Sequence, residues 1–174
     1  MSGRARVARC CMRLDLREII EIPGGSVPFS CELETDRLDF PAVAAYKGAP
    51  KAEGVVRNEA GVLHLTGEVV AEMVCFCDRC GAEFDSTKIT KLDATIVEED
   101  TGVNPELFIL EGDEIDLSEI LSTCFILDMD SKFLCKEDCK GLCSDCGKNL
   151  NLGPCGCRKQ IDPRFAVLEQ LLDK

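Results

Sequence analysis

Nine of the thirteen cysteines fall in two clusters whose spacing suits metal coordination. The larger is Cys135-x3-Cys139-x3-Cys143-x2-Cys146-x8-Cys155-x-Cys157, and the smaller is Cys75-x-Cys77-x2-Cys80. Thiolates are preferred ligands of zinc, and C-x2-C places two sulfurs on one tight turn at tetrahedral reach. The glycine directly after Cys146 suits such a knuckle, because its backbone turns with positive φ at no steric cost. Cys143, Cys146, Cys155 and Cys157 make one complete four-sulfur set, with Gly153 and Pro154 turning the chain back between its halves. Cys77 and Cys80 are half of a second set, and Cys135 and Cys139 are the available donors. That pairing would clip the tail to the segment that carries Cys77. The spacing equally allows a set with Cys139 in place of Cys143. Cys75 is left over and is expected to face the core. The expected cofactor is zinc, at one site or two.

Other uses of these thiols fit less well. No βαβ pattern surrounds the C-x2-C pairs, as a thioredoxin-like redox site would need. No common ferredoxin spacing appears. Thirteen is an odd number for a disulfide scaffold, and the clusters are too local for one. Cys10, Cys11, Cys31 and Cys124 read as ordinary buried or incidental thiols. All-thiolate coordination is closed and leaves no position for water. The single histidine, His64, falls on the polar side of an alternating segment, and the chain holds no phosphate-binding glycine loop and no HExxH. No enzyme and no small-molecule substrate are expected.

Charge points to a partner. The net charge is −12, and the stretch from Leu92 to Ser131 holds twelve acidic residues and no Lys, Arg or His. Such a run is either a solvated face or a docking surface for something basic. Glu98, Glu99, Asp100, Asp113 and Glu114 are its candidate partner-binding residues. With no Trp and one Tyr, the chain is poorly equipped to stack on RNA. Residues 132–160 are the exception, with six Lys and Arg against three acids. Lys132, Lys136, Lys140, Lys148, Arg158 and Lys159 are therefore the candidate phosphate contacts. No stretch of 18 apolar residues exists to span a bilayer as a helix, and no apolar segment follows the arginines of the N-terminus. No membrane and a cytoplasmic location are expected.

The elements that must position these groups are mostly strands. Leu63, Leu65, Val69, Ala71, Met73 and Cys75 alternate on one face and lead directly into CFCDRCG, so the first knuckle caps a strand end. KAEGVVRN precedes it across the turn NEAG, and EFDSTKITKLDATIV returns as the partner strand. EEDTGVNPELFILEGDE reads as an acidic loop. Asp116 caps a helix carrying Leu117, Ile120, Leu121 and Cys124. A last helix begins at Asp162 and Pro163 and carries Phe165, Leu168 and Leu172 on one face. The fold class is α+β: a β-rich antiparallel sheet or partly open barrel, a middle helix, a Cys-rich metal-binding segment and a C-terminal helix. Two units are expected, a core at 1–131 and a zinc-binding tail at 132–174.

The string CKEDCKGLCSDCGKNLN…CGC…DPR…VLEQLL resembles the C-terminal signature of the YceD family, the large ribosomal RNA subunit accumulation proteins. CDRC followed by Phe84 is similar to that family's first motif, and EGDEIDLSEIL to the acidic stretch before its middle helix. The resemblance covers roughly residues 75–172. It implies a bacterial or plastid ribosome-biogenesis factor without enzymatic activity, needed for accumulation of large-subunit rRNA. The acidic surface is then expected to bind a basic large-subunit ribosomal protein. Precursor rRNA held directly by the basic tail, or a thiol and zinc redox switch, are the alternatives.

Overall fold

The alternation around Leu65 builds one of the two longest strands, and three others pair with it directly. In the computed structural model, residues 8–9, 13–97, 107–110 and 112–157 are described. Their strands are β1 (Ala8–Arg9), β2 (Arg13–Asp15), β3 (Ser26–Glu32), β4 (Val43–Tyr46), β5 (Lys51–Glu59), β6 (Val62–Phe76), β7 (Glu83–Val97), β8 (Leu107–Ile109) and β9 (Glu114–Asp116). Helix α1 covers Arg17–Ile20 and α2 covers Leu117–Leu127, with 3₁₀ turns at Thr35–Arg37 and Leu150–Leu152.

β6 pairs antiparallel with β7 from Leu63↔Ile96 to Phe76↔Glu83. On its other side the first half of β6 pairs with β5, and its last residues pair with β4. β3 adds beyond β5, and the short β1 and β8 lie parallel to β3 and β7 at the two margins. The result is an open mixed sheet with an antiparallel body; β2 and β9 make a separate ribbon. Leu63, Leu65, Val69, Ala71, Met73 and Cys75 are all buried, on the face that α2 covers with Leu117, Ile120, Leu121 and Phe125. Asp116 caps α2 by accepting the Ser118 N–H at 2.8 Å. Cys75 belongs to this core, apart from the thiol groups below.

The segment read as an acidic loop, residues 98–114, contains one strand and ends at the first residue of another. Leu107–Ile109 pairs with the end of β7, and Glu114–Asp116 pairs with β2 while burying Ile115. Three-residue strands are too short for alternation to reveal, and here pairing outweighs the turn-rich composition. At the centre of the sheet Gly54 faces Gly67, and a Cβ on Gly54 would lie 2.4 Å from the Thr66 carbonyl and 2.7 Å from the Phe29 ring. Bare backbone at this pair lets Phe29 lie flat against the sheet.

Candidate metal centres

β6 ends at Phe76, and Cys77–Ala82 is the turn into β7. The Cys77 N–H donates to the Ala82 carbonyl at 2.9 Å and the Gly81 N–H to the Cys77 carbonyl at 2.8 Å, with Gly81 at φ 67°. The same pattern recurs at the second C-x2-C pair. There the Cys143 N–H donates to the Lys148 carbonyl and the Gly147 N–H to the Cys143 carbonyl, both at 2.9 Å, with Gly147 at φ 71°. CDRCG and CSDCG carry the same signal, so Gly81 is a twin of Gly147 that the sequence announces equally.

Each knuckle meets two further cysteines. Cys77, Cys80, Cys135 and Cys139 gather with all four sulfurs within 4.8 Å of one another, and so do Cys143, Cys146, Cys155 and Cys157. Cys139 thus falls with the first group and Cys143 with the second. In the first group, Cys77 Sγ lies 3.8 Å from Cys139 Sγ and Cys80 Sγ lies 3.7 Å from Cys135 Sγ. A tetrahedral ion with metal–sulfur bonds of about 2.3 Å has edges near ~3.8 Å, so the donor set fits. These distances are well beyond a disulfide bond of about 2.05 Å. In the second group Cys143 and Cys155 approach to 3.3 Å. Either group can hold a metal ion.

Hydrogen bonds prepare the sulfurs unequally. Burial pushes the Cys77 thiol up, but the N–H groups of Cys135, Cys80 and Arg79 outweigh it and bring it down to about 6. The Asn151 amide, 3.3 Å from Cys139 Sγ, leads the groups that lower Cys139 against its burial. Cys135 is pushed up to about 12 by burial and by its neighbouring thiols. Cys80 is raised as well: the Ala82 N–H favours its thiolate, but burial and the thiols of Cys77 and Cys139 prevail. In the second group the N–H groups of Cys146 and Asp145 bring Cys143 down to about 7, while Cys146 pushes Cys157 up to about 12. Within each group some thiols ionise readily and others keep protons that a cation would displace.

The two residues inside the first knuckle bind the tail. Asp78 Oδ2 accepts the Phe133 N–H at 2.6 Å, and the Asp78 N–H donates to the Phe133 carbonyl at 2.8 Å. Arg79 donates to the Cys139 carbonyl at 2.9 Å and the Glu137 carbonyl at 3.3 Å, and its own carbonyl accepts the Leu142 N–H. Phe133 is buried and meets the Phe40 ring at 5.8 Å. Neither role was foreseen; the signal was a pair of charged residues in a knuckle that needs none.

Asp113 and Glu114 stand at the start of β9, where Arg17 lies 3.2 Å from Asp113 and Arg13 lies 4.0 Å from Glu114. Glu98, Glu99 and Asp100 lie outside the described residues, as do Arg158, Lys159 and the helix expected from Asp162. Lys132, Lys136, Lys140 and Lys148 are exposed along the tail. His64 faces Thr95 at 3.4 Å, at the opposite end of the β6–β7 hairpin from the Cys77–Cys80 knuckle. Among the described residues no helix is long and apolar enough to cross a membrane.

A mixed β-sheet whose longest hairpin ends in a four-thiol clip, followed at once by a second four-thiol knuckle, defines a cysteine-rich β protein with two thiol groups that could hold a metal ion. Residues 65–172 match the family described as large ribosomal RNA subunit accumulation protein YceD, and the chain belongs to that family. It is also 32% identical over 117 residues to an uncharacterised protein of Mycobacterium bovis and to uncharacterised proteins of two strains of Mycobacterium tuberculosis. The match covers 64% of this chain and 56% of each relative, so the chain spans little more than half their length. No solved structure matches this chain.

Proposed function

We propose that this chain is a non-enzymatic ribosome-biogenesis factor that supports large-subunit rRNA accumulation by holding a basic large-subunit ribosomal protein on its acidic surface. In this reading the partner's charge is shielded until it meets rRNA, and rRNA left without the partner is degraded. Zinc fills the thiol groups and serves the fold, since four thiolates leave no site for a substrate. Residues 1–131 carry the partner surface and residues 132–174 the zinc-binding tail. The factor acts in the cytoplasm, where thiols stay reduced.

The observation that carries this reading is the family match together with the one-signed stretch from Leu92 to Ser131. Asp113, Glu119, Asp128 and Asp130 in it are exposed. Arg13 and Arg17 approach two acids of the stretch, but exposed ion pairs are worth about 0–1 kcal/mol, so a strongly basic partner competes with them easily. Lys88, itself mostly buried, pairs with Asp128 and Asp130, whose carboxylates stay half exposed. Opposite charge then speeds encounter and selects the partner without RNA-binding chemistry.

Reversing Glu98, Glu99, Asp100, Asp113 and Glu114 to lysine is expected to abolish binding to proteins extracted from large ribosomal subunits. Unchanged affinity at low salt would remove the acidic-surface reading. A second reading, direct contact with precursor rRNA, draws support from the exposure of Lys132, Lys136, Lys140 and Lys148. It requires an affinity for transcribed rRNA that falls steeply with salt. The full chain showing no RNA shift at low salt would eliminate it.

A further inference from the structure

The two thiol groups differ in how they are held. The first joins parts of the chain far apart in sequence: Cys77 and Cys80 come from the β6–β7 turn, Cys135 and Cys139 from the tail. Cys77, Cys80 and Cys139 are buried, with Ala82, Phe84 and Leu134 packed around them. Opening this group means pulling Phe133 from the core and breaking the Asp78 and Arg79 bonds to the tail.

The second group draws all four ligands from residues 143–157. None of its cysteines is buried, Cys146 is exposed, and no residue from Leu142 to Cys157 is buried. Its segment is held by a single β-bridge, Leu142↔Asn149, a few turn hydrogen bonds, and bonds to the first group from the Leu142 N–H and the Asn151 side chain. An ion here is open to attack by an incoming ligand at Cys146 without any loss of packed surface.

We propose that the two centres divide their work: the first keeps its ion for the life of the fold, and the second exchanges its ion with soft chelating ligands in solution. The exchange moves one divalent ion from four protein thiolates to the incoming ligand. The freed sulfurs take up protons from water and no electron moves. Loss of the second ion releases the 143–157 knuckle while the sheet-to-tail clip stays closed. Asn151, which accepts the Lys140 N–H and donates to Cys139 Sγ, and the Leu150 N–H, which donates to the Gly141 carbonyl, are hydrogen-bond links that then loosen. This inference rests on the metal-holding part of the proposed function and is independent of the partner.

The test uses the full chain loaded with zinc, a chromophoric chelator to follow release, and mass spectrometry of alkylated cysteines to locate it. The expected result is two bound equivalents released in two phases. The faster should lead by at least about tenfold, the ratio that ~1.4 kcal/mol in local opening free energy gives. Alkylation should reach Cys143, Cys146, Cys155 and Cys157 first, and Cys146→Ser should remove the fast phase alone. Two equivalents released in one phase, or Cys77, Cys80, Cys135 and Cys139 reacting first, would overturn the division. Fewer than two equivalents in the loaded parent chain would overturn the metal-holding reading beneath it. Alkylation of the parent chain decides the order even if the variant fails to fold.

Discussion

At the scale of single residues, backbone conformation and charge yield the sharpest expectations. Ala60 and Gly61 form the two-residue turn between β5 and β6 with φ of 56° and 96°, a geometry that favours Asn-Gly. Ala60→Asn is therefore expected to raise stability by about 0.5–1 kcal/mol in urea denaturation; a loss would contradict the assigned turn. Lys88 gives a pH-dependent case. Burial works against its charge, but hydrogen bonds to Asp130 and Asp128 outweigh it and hold the ammonium above its ordinary 10.5. Because the folded value is raised, this contribution is complete below about 10.5 and fades as pH climbs through the folded value. Both carboxylates are half exposed, so Lys88→Met should cost under ~1 kcal/mol near neutral pH. That cost should shrink in strongly alkaline denaturation series. A cost that grew with pH would reverse the assignment.

Elements were legible in proportion to their length. The β6–β7 hairpin stood out because fifteen residues of each strand give alternation room to show. Helix α2 stood out because Asp116 and the spacing of Leu117, Ile120 and Leu121 agree on one start and one face. β4, β8 and β9, at three or four residues, offer no period to read and exist because a neighbouring edge pairs with them. Counting reached the eight sulfurs that two tetrahedral sets need, but spacing left Cys139 and Cys143 interchangeable, and only the folded geometry puts Cys139 with Cys77, Cys80 and Cys135. What counting could not reach was the clip itself. Asp78 and Arg79 act across 55 to 60 residues of sequence, where no local pattern announces a contact. With an ion in place the clip holds the tail to the sheet, so stripping metal with a strong chelator should raise hydrogen exchange across residues 133–157. The β5–β7 core, built on apolar packing, should remain protected. Exchange rising equally through β6 would mean that the ion supports the whole sheet.

For the whole molecule, the sheet packs around one apolar core and the tail meets it at the first thiol group, while in the proposed function the acidic surface leaves RNA to a partner. Its family membership rests on residues 65–172, and the partner is the claim most in need of a direct test. The deciding measurement is an affinity purification of the tagged chain from growing cells, split with and without RNase and read by mass spectrometry and RNA sequencing. The account predicts one basic large-subunit ribosomal protein that survives RNase and is lost when the five acidic residues are reversed. Precursor rRNA accompanied by many ribosomal proteins, all lost on RNase, would contradict it and place the contact on the tail.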